Sequence, residues 1–429
     1  DYVKQFLRLL KSNVVGAKGQ RLQCLLKAKD GRDREFNKSL EGLWNTAGKL
    51  RHSPSVCGKM TRRDLENLWI TTLATDGEVI VLRHPGHEGN KFRYALQIVD
   101  SALLDWTLNE KLPNGNKIVM GVECNEEGRA IAYHFLNHVP YDVLWNYSGS
   151  GKHTRVPADR VSHTFLQEFA GQTRGIPWIA SPAVRLHMLS KLEEAVVVGS
   201  RVAASKMGFY KPSEEYAGEA PGDGEDETPG DFLRQTVEPG MFEQLPRGID
   251  VEKFDMTFPT QDIEQFEKTL LRGICSGLGT DYVATANNLE GVNYSSIRAG
   301  QLEQREIYKG LQCYMVEHFG DPIFSEWATV QTLNPAVTID ARKIRTMLDG
   351  DLYKFIARGW AWVDPLKEVQ ANNQAINCRF TSHRRVVGET LGEDFEDLLE
   401  EISEDQALME EYGVEMLNLP QMSNDPAMQ

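Results

Sequence analysis

Basic residues are missing from the last part of this 429-residue chain. No Lys or Arg follows Arg385, while thirteen Asp and Glu fall in the same 44 residues. The segment from Pro212 to Leu233 has eight acids and again no base. Because the formal net charge is −15, leaving these two acidic segments aside gives a remainder of +6. The acidic total therefore does not exclude contact with nucleic acid, since electrostatic attraction depends on local charge.

Paired cysteines and long apolar runs are also missing. The six cysteines include no C-x-x-C pair, which argues against a disulfide scaffold or a zinc ribbon and is typical of a reducing cytoplasm. Glu194 and Arg201 interrupt the apolar run around Val196–Val198, and no window approaches the roughly 18–20 apolar residues of a membrane span. We expect no membrane contact, and the chain length predicts two or more domains.

Catalytic and metal-binding motifs are incomplete. The stretch YSGSGKHT resembles a phosphate loop, but Asn146 and His153 stand where that motif requires Gly and Ser or Thr. The histidine pair in HPGH lies in a Pro-Gly turn and lacks an H-E-x-x-H frame. The pair in HFLNH falls in a predicted strand, where its members share a face but lie too far apart to chelate a metal. We therefore predict that the chain is not an enzyme and has no catalytic residue, metal or cofactor.

One alternative from another class of function stays open. The chain could be a soluble cytoplasmic enzyme with an unrecognised active site, for instance around Asp159, His163 and Glu168. Against it, the GLG at 277–279 follows a predicted helix instead of the strand that a dinucleotide site requires. The sequence also has no G-x-S-x-G nucleophile elbow.

The first half of the chain mixes helical and strand patterns. Apolar residues at helical spacing predict helices over about 33–47 and 61–73. From Glu78 to about His138 the pattern changes to short β-type runs, EVIVLRH, YALQIVD, KIVMGVEC and AIAYHFLN, separated by Asn-Gly and Glu-Gly turns. This part of the chain predicts a small β-rich lobe.

The second half is dominated by long helices. A helix is predicted from Ser181, as N-cap before Pro182, to about Lys206, and a second one over 260–278. Between them lies an acidic, Pro/Gly-rich segment at 213–230, which predicts a flexible loop. A polar loop follows at 279–293, then a helix from about Tyr294 to His318. An acidic amphipathic helix is predicted from about Asp394 onwards.

Two stretches carry more information than periodicity can give. RGIPWIASPAVRLHMLSKLEEAVVVGSRVAASKMGFY and LRGICSGLGTDYVATANNLEGVNYSSIRAGQLEQREIY strongly resemble the portal proteins of lambda-type tailed phages. Shorter matches are SNVVGAKGQRLQ, AWVDPLKEVQA and the acidic ending. The order and spacing agree with that family, and NYSS-x-R-A-G after a polar loop is its most specific part.

The resemblance implies a function. Portal proteins are homo-oligomeric rings, usually of twelve subunits, at one capsid vertex of the virion. Double-stranded DNA is packaged and ejected through the ring without sequence recognition. The implied partners are the large subunit of the terminase motor, the major capsid or scaffold protein and a head–tail adaptor. Assembly would take place in the cytoplasm of a bacterial host.

The resemblance also implies an α+β portal fold, assembled as a ring. Carried over by position, residues 1–180 would form the first part of a β-rich wing and 294–385 a tunnel helix with the second part. The long stem helices would be 181–206 and 260–278, around a small α/β clip at 207–259 that holds the acidic insert. The tunnel loop would be 279–293, and 386–429 would form an acidic, helical crown and tail.

Several residues receive roles from this resemblance. Those of the tunnel loop that would face DNA are Thr280, Asp281, Thr285, Asn287, Asn288, Glu290 and Asn293. Those that would join the loop to the next helix are Tyr294, Ser295, Ser296 and Arg298, although a simple helix N-cap with a packed tyrosine is compatible with the same residues. Lys206 and Lys211 would form weak basic rings or be ordinary surface lysines. Those of the clip that would face the terminase are Glu214, Glu215, Asp223, Glu225, Asp226, Glu227 and Arg247.

Overall fold

Short helices and antiparallel strands alternate through the computed structural model of this chain. It describes residues 1–28, 31–137, 153–204, 208–212, 249–253, 260–288, 294–360, 365–391 and 394–412. The chain divides into two units, one formed by residues 1–181 with 277–429 and the other by residues 182–276.

The first unit begins with helices that pack around aromatic residues. Its N-terminal elements are α1 (Tyr2–Leu10), a π-helical turn (Lys11–Val15), β1 (Arg21–Cys24), β2 (Lys27–Ala28), β3 (Gly31–Arg32), α2 (Arg34–Ala47) and α3 (Arg62–Asp76). Thr61 and Asp64 form a capping box at the start of α3, which satisfies two backbone donors that a helix start otherwise leaves free.

Two antiparallel sheets form the β-rich part that the sequence predicts. Their strands are β4 (Glu78–Pro85), β5 (Tyr94–Val99), β6 (Glu110–Lys111), β7 (Lys117–Val119), β8 (Val122–Cys124), β9 (Ala130–Leu136), β10 (His153–Pro157) and β11 (Val161–Phe165). The three-stranded sheet has the order β11-β4-β5, and the five-stranded sheet the order β10-β9-β8-β7-β6. Residues from both sheets, including Ile80, Val122 and Tyr133, share one buried apolar cluster.

One predicted strand proves to be two. The run KIVMGVEC folds as β7 and β8, which pair with each other through Val119 and Val122. Met120 and Gly121 between them have φ of 49° and 83°. Two successive residues with positive φ are what a tight two-residue hairpin turn requires. The prediction of a single strand was wrong because a Met at the first turn position hides the turn.

The remaining elements of the first unit close its core. They are α6 (Tyr282–Ala286), α7 (Tyr294–Met315), a π-helical turn (Val316–Gly320), α8 (Asp321–Thr332), α9 (Ala341–Asp349), β14 (Tyr353–Ile356), α10 (Pro365–Asn377), α11 (His383–Leu391) and α12 (Phe395–Glu411). Strand β14 pairs with β1. Trp44 of α2 lies edge-on to Trp327 of α8 with ring centroids 5.0 Å apart, and to Phe324 at 5.3 Å. Burying such rings stabilises the fold by roughly 1.5–3 kcal/mol each.

The second unit consists of two helices and a hairpin. Its elements are α4 (Ala183–Ala204), β12 (Gly208–Pro212), β13 (Ile249–Lys253) and most of α5 (Thr260–Leu278), with β12 and β13 antiparallel. Helix α4 begins two residues later than predicted and its described part reaches Ala204, and α5 spans the predicted 260–278. A Cβ added at Gly273 would lie 2.0 Å from the Arg185 guanidinium, so this glycine allows α4 and α5 to approach closely.

A buried ion cluster holds the segment that precedes α4. Arg174 donates to both carboxylate oxygens of Glu78 through Nε, at 2.7 and 2.8 Å, and the backbone N–H of Gly175 donates at 3.0 Å. His163 Nε2 lies 3.0 Å from the same carboxylate. The Arg174 guanidinium also donates to the carbonyl oxygens of Ser101, Leu104 and Met120. One arginine therefore ties this segment to both sheets.

The same segment crosses the α3–β4 turn at two glycines. Gly77 has φ of 83°, and a Cβ there would lie 2.2 Å from the carbonyl carbon of Ile176. A Cβ on Gly175 would lie 2.1 Å from the oxygen of Gly77. Only glycine permits two backbones to meet this closely. The crossing fixes the chain shortly before it enters the second unit.

We predict that Glu78→Gln lowers the free energy of unfolding of the first unit by about 3–5 kcal/mol at neutral pH, because it leaves Arg174 buried without its counter-charge. Burial would raise the pKa of Glu78, but hydrogen bonds from His163 and Arg174 outweigh it and lower the pKa to about 2. The stabilisation that the ionised Glu78 contributes is thus complete at pH values above its ordinary pKa of about 4.5, and it is lost as the pH falls from there towards 2.

Denaturant unfolding followed by tryptophan fluorescence measures this effect, because all eight tryptophans belong to the first unit. Glu127→Gln, at an exposed turn position, is the matched control and should change stability little. A Glu78→Gln protein as stable as the control at pH 7, or a difference between the two that does not shrink below pH 4, would contradict the prediction.

Candidate channel loop

The segment between α5 and α7 contains a short helix where the sequence predicts an irregular polar loop. Asp281 is the N-cap of this helix, α6, and its Oδ2 accepts a hydrogen bond from the N–H of Ala284 at 3.3 Å. The following residues, YVATA, include two alanines, which favour helix once a cap is present. The prediction of a loop without helix was wrong at 282–286 for this reason.

Gln304 of α7 holds the start of the segment. Its side-chain oxygen accepts from the N–H of Asp281 at 2.9 Å, and its Nε2 donates to the carbonyl oxygen of Gly279 at 3.3 Å. Tyr308, one turn further along α7, is buried. Burial and the nearby Asp281 carboxylate raise the pKa of Tyr308 to about 12. The loop is therefore attached to α7 through the amide of one glutamine.

Two of the predicted DNA-facing residues have their side chains inside the fold. The Thr285 hydroxyl donates to the Thr280 hydroxyl at 2.9 Å, and both residues are buried. Helix α1 also contacts α6, because the side-chain amide of Gln5 donates to the carbonyl oxygen of Ala284 at 3.4 Å. Thr280 and Thr285 therefore stabilise the segment from within.

Asn287 and Asn288 lie at the end of α6. Asn287 is exposed and ends the helix in the left-handed conformation, with φ of 52° and ψ of 38°. Asparagine adopts this conformation more readily than most residues. Asn288 donates from its side chain to the Tyr282 hydroxyl at 3.3 Å. These two amides end the part of the loop that the structure describes.

The other predicted positions are only partly described. Glu290 and Asn293 lie outside the described residues, as do Lys206 and the clip residues Glu214, Glu215, Asp223, Glu225, Asp226, Glu227 and Arg247. Lys211 belongs to β12, and α7 starts at Tyr294 and includes Ser295 and Ser296, as backbone positions only. Arg298 lies 3.8 Å from a carboxylate oxygen of Glu368, which links α7 to α10.

Of the residues suggested for an enzyme, His163 belongs to the buried ion cluster. His163 is 3% exposed and hydrogen-bonds Glu78 within the ion cluster described above. Among the described residues no group of three or more His, Cys, Asp or Glu could hold a metal ion. Nor does any described helix have the length and apolar character needed to cross a bilayer.

Comparison with known proteins decides the family. A family model described as phage portal protein, lambda family, matches residues 1–312. The chain is 31% identical over 415 residues to the probable portal protein of Halomonas phage phiHAP-1, which covers 96% of this chain and 79% of that protein. The chain belongs to the lambda family of phage portal proteins. As a portal protein it is a structural component of the virion, and the predicted family is confirmed.

The chain also has more distant similarities. Portal protein B of Escherichia phage lambda is 21% identical over 310 residues, which are 65% of this portal protein and 56% of the lambda protein. A chain from the virion of a native gene transfer agent particle has a TM-score of 0.47 and 11% identity, covering 91% of this chain and 89% of that one. A chain from the neck of a native gene transfer agent particle, computed with C12 symmetry, has a TM-score of 0.42 and 12% identity over 90% of this chain and 94% of that one.

Sequence reasoning missed Gln304 and Gln5, which hold the loop from two directions. Gln304 lies ten residues into α7 and Gln5 lies in α1. Neither belongs to a recognisable motif. A glutamine on a helix gives no sign of its partner when that partner is a backbone group 23 or 279 residues away.

We predict that Asp281→Ala in this portal protein increases amide hydrogen exchange in residues 282–286 by about fivefold, because losing an N-cap costs about 1 kcal/mol. Asp281→Asn is the matched control, since its side-chain oxygen can still cap the helix, and it should exchange nearly as the parent does. Hydrogen exchange read by mass spectrometry on peptides covering 281–288 makes the measurement. Equal exchange in the Ala and Asn variants would show that the cap does not hold α6.

Proposed function

We propose that copies of this chain form a closed ring at one capsid vertex, and that double-stranded DNA passes through the ring during packaging and ejection. The observation that carries the proposal is the family match over nearly the whole chain. The terminase large subunit would dock on the clip, residues 207–259, and the head–tail adaptor would replace it afterwards. The major capsid or scaffold protein would contact the wing.

The surface of α4 supports assembly. A narrow buried stripe, which includes Leu189, runs along this 22-residue helix, while Val184, Met188 and Val198, which share another face of the helix, are each more than half exposed. Apolar side chains that are grouped on a helix and exposed in one chain commonly mark an interface with another. Neighbouring copies of α4 in a ring would cover them.

The dimensions of helices fit a channel for duplex DNA. Packed helices lie about 10 Å apart, so twelve of them around a circle give a circumference of roughly 120 Å. After the helix radius is subtracted, the opening is on the order of 25–30 Å. A ring of twelve subunits therefore leaves room for a DNA duplex with little clearance.

The chemistry of the loop fits DNA that slides instead of binding. Each phosphate that a cation neutralises adds a salt-dependent increment of affinity. The described loop ends with the exposed Asn287 and the half-buried Asn288, and the threonines at 280 and 285 are buried. We propose that residues 287–293 present this uncharged or sparsely acidic edge to the DNA, once per subunit.

We predict that the purified chain forms a particle of about 580 kDa, which is twelve copies of a 48.4 kDa chain. Met188→Asp should shift the population to smaller species, because it places a carboxylate in the apolar contact between copies. Ser190→Asp changes the charge by the same amount at an exposed position on another side of the same helix and should leave the particle intact. Size-exclusion chromatography with light scattering reads both; a monomeric parent chain would contradict the ring.

We predict that Asn287→Lys slows DNA packaging by the complete motor, because a basic ring would retain the DNA backbone. The defect should weaken as the salt concentration rises. Asn287→Gln is the control, since it places a neutral side chain of comparable backbone strain at the same position. Packaged DNA protected from nuclease is the readout. Packaging by the Lys variant at the rate of the Gln variant, at every salt concentration, would show that position 287 does not face the DNA.

A further inference from the structure

A basic cleft opens in the first unit between α7, β14 and α11. It is a cavity of about 520 Å³. Its charged lining residues are Lys309, Lys354, Arg358, Arg384, Arg385 and Glu389. Five cations thus face one carboxylate. Apolar side chains, among them Ile356 and Trp360, complete the lining.

The cations of the cleft are incompletely neutralised within the described chain. Lys309 pairs with Glu306 of its own helix, and Arg384 with Glu396. Arg358 is held by neutral acceptors, the carbonyl oxygen of Ser12 at 2.8 Å and Oδ1 of Asn13 at 2.6 Å. Burial and the nearby Arg305 lower the pKa of Arg358. Lys354 and Arg385 are exposed, and no carboxylate of the described residues lies within salt-bridge distance of either.

Helix α12 carries an excess of acidic residues, and only those of its first turns are paired with basic residues among those that the structure describes. Its first turns are held by basic residues of the same unit: Arg32 reaches Glu396 at 2.7 Å, Arg21 reaches Asp397 at 3.6 Å, and Lys38 pairs with Glu400. Beyond this point the helix projects without partners in the described chain. The exposed acids of this second half are Glu401, Glu404, Asp405, Glu410 and Glu411, and its exposed apolar residues are Ile402, Leu408 and Met409.

We propose that the cleft receives the second half of α12, residues 401–411, from a second copy of the chain. The proposal rests on the ring of the proposed function. An acidic helix with one apolar face matches a groove with a basic rim and an apolar lining, which is a recurring way for proteins to bind helices. The contact would neutralise both surfaces and join the C-terminal region of one subunit to the α7–β14 region of its neighbour.

Duplex DNA fits the cleft less well. A cavity of about 520 Å³ has the size of a pocket that encloses a few side chains. DNA phosphates could touch only its rim and would leave the apolar lining uncovered. A basic cleft left open in every subunit would also retain DNA electrostatically. A carboxylate-bearing helix removes that attraction.

Charge reversal with rescue tests the contact on the assembled particle. Lys354→Glu with Arg385→Glu should weaken the association between subunits about tenfold. Glu401→Lys with Glu404→Lys and Asp405→Lys should weaken it similarly, and the combination of both sets should restore most of the loss. The control is Lys111→Glu with Lys117→Glu, exposed lysines on the five-stranded sheet, which should leave the particle as stable as the parent. Particle dissociation against salt and dilution, read by mass photometry, gives the values.

The outcomes separate this inference from the proposed function. If all variants form rings that resist dissociation equally, the contact between α12 and the cleft would be overturned, while the proposed ring would stand. A loss in the cleft variant without rescue by the α12 lysines would also overturn it. A short DNA duplex tests the other occupant. If the duplex binds the Lys354→Glu, Arg385→Glu ring more weakly than the parent ring, and the two rings are equally stable, the cleft would be assigned to DNA. A parent chain that forms no ring would refute both proposals.

Discussion

Helix α4 leaves much of its apolar surface exposed in the part of the chain that the structure describes. It is 22 residues long, yet only a narrow stripe around Leu189 is covered, and Val184, Met188 and Val198 remain exposed. A monomer with such a helix keeps apolar surface in water at a free-energy cost that association removes. The proposed ring follows from this constraint, because a closed circle of copies covers the same face in every subunit.

The chain is held within the first unit shortly before α4 begins. The chain approaches α4 through Arg174 and Gly175, where the buried Glu78 carboxylate, the Arg174 guanidinium and the Gly77–Gly175 crossing hold the backbone. After α5 the chain meets Gln304, which attaches the loop to α7. The segment that would line the channel is thus fixed at its start by one hydrogen-bonded amide and is capped by Asp281. Hydrogen bonds position this segment, while packing between apolar side chains forms the core of the first unit.

Local patterns in the sequence predict much of this fold. Several elements lie within a few residues of their predicted places, including the strands predicted at 78–84 and 94–100, the long helices and the acidic C-terminal helix. These predictions succeed because hydrophobic periodicity and helix capping depend on residues that are close in the sequence. The family also follows from the sequence, since NYSS-x-R-A-G is a specific stretch. Contacts between distant residues could not be predicted in the same way. Neither the partner of Gln304 nor the burial of Thr285 leaves a local signal, and the Met120–Gly121 turn lacks the usual Asn or Asp.

In the proposed ring, copies of the chain enclose a channel that is edged by the end of the α6 loop. Electron cryomicroscopy of the purified particle, averaged down its axis, tests it most directly. The account predicts a closed ring with a central opening wide enough for duplex DNA, with Asn287 and Asn288 at the narrowest part. A ring in which these residues lie on the outer rim or between subunits, or particles with no central opening, would contradict it.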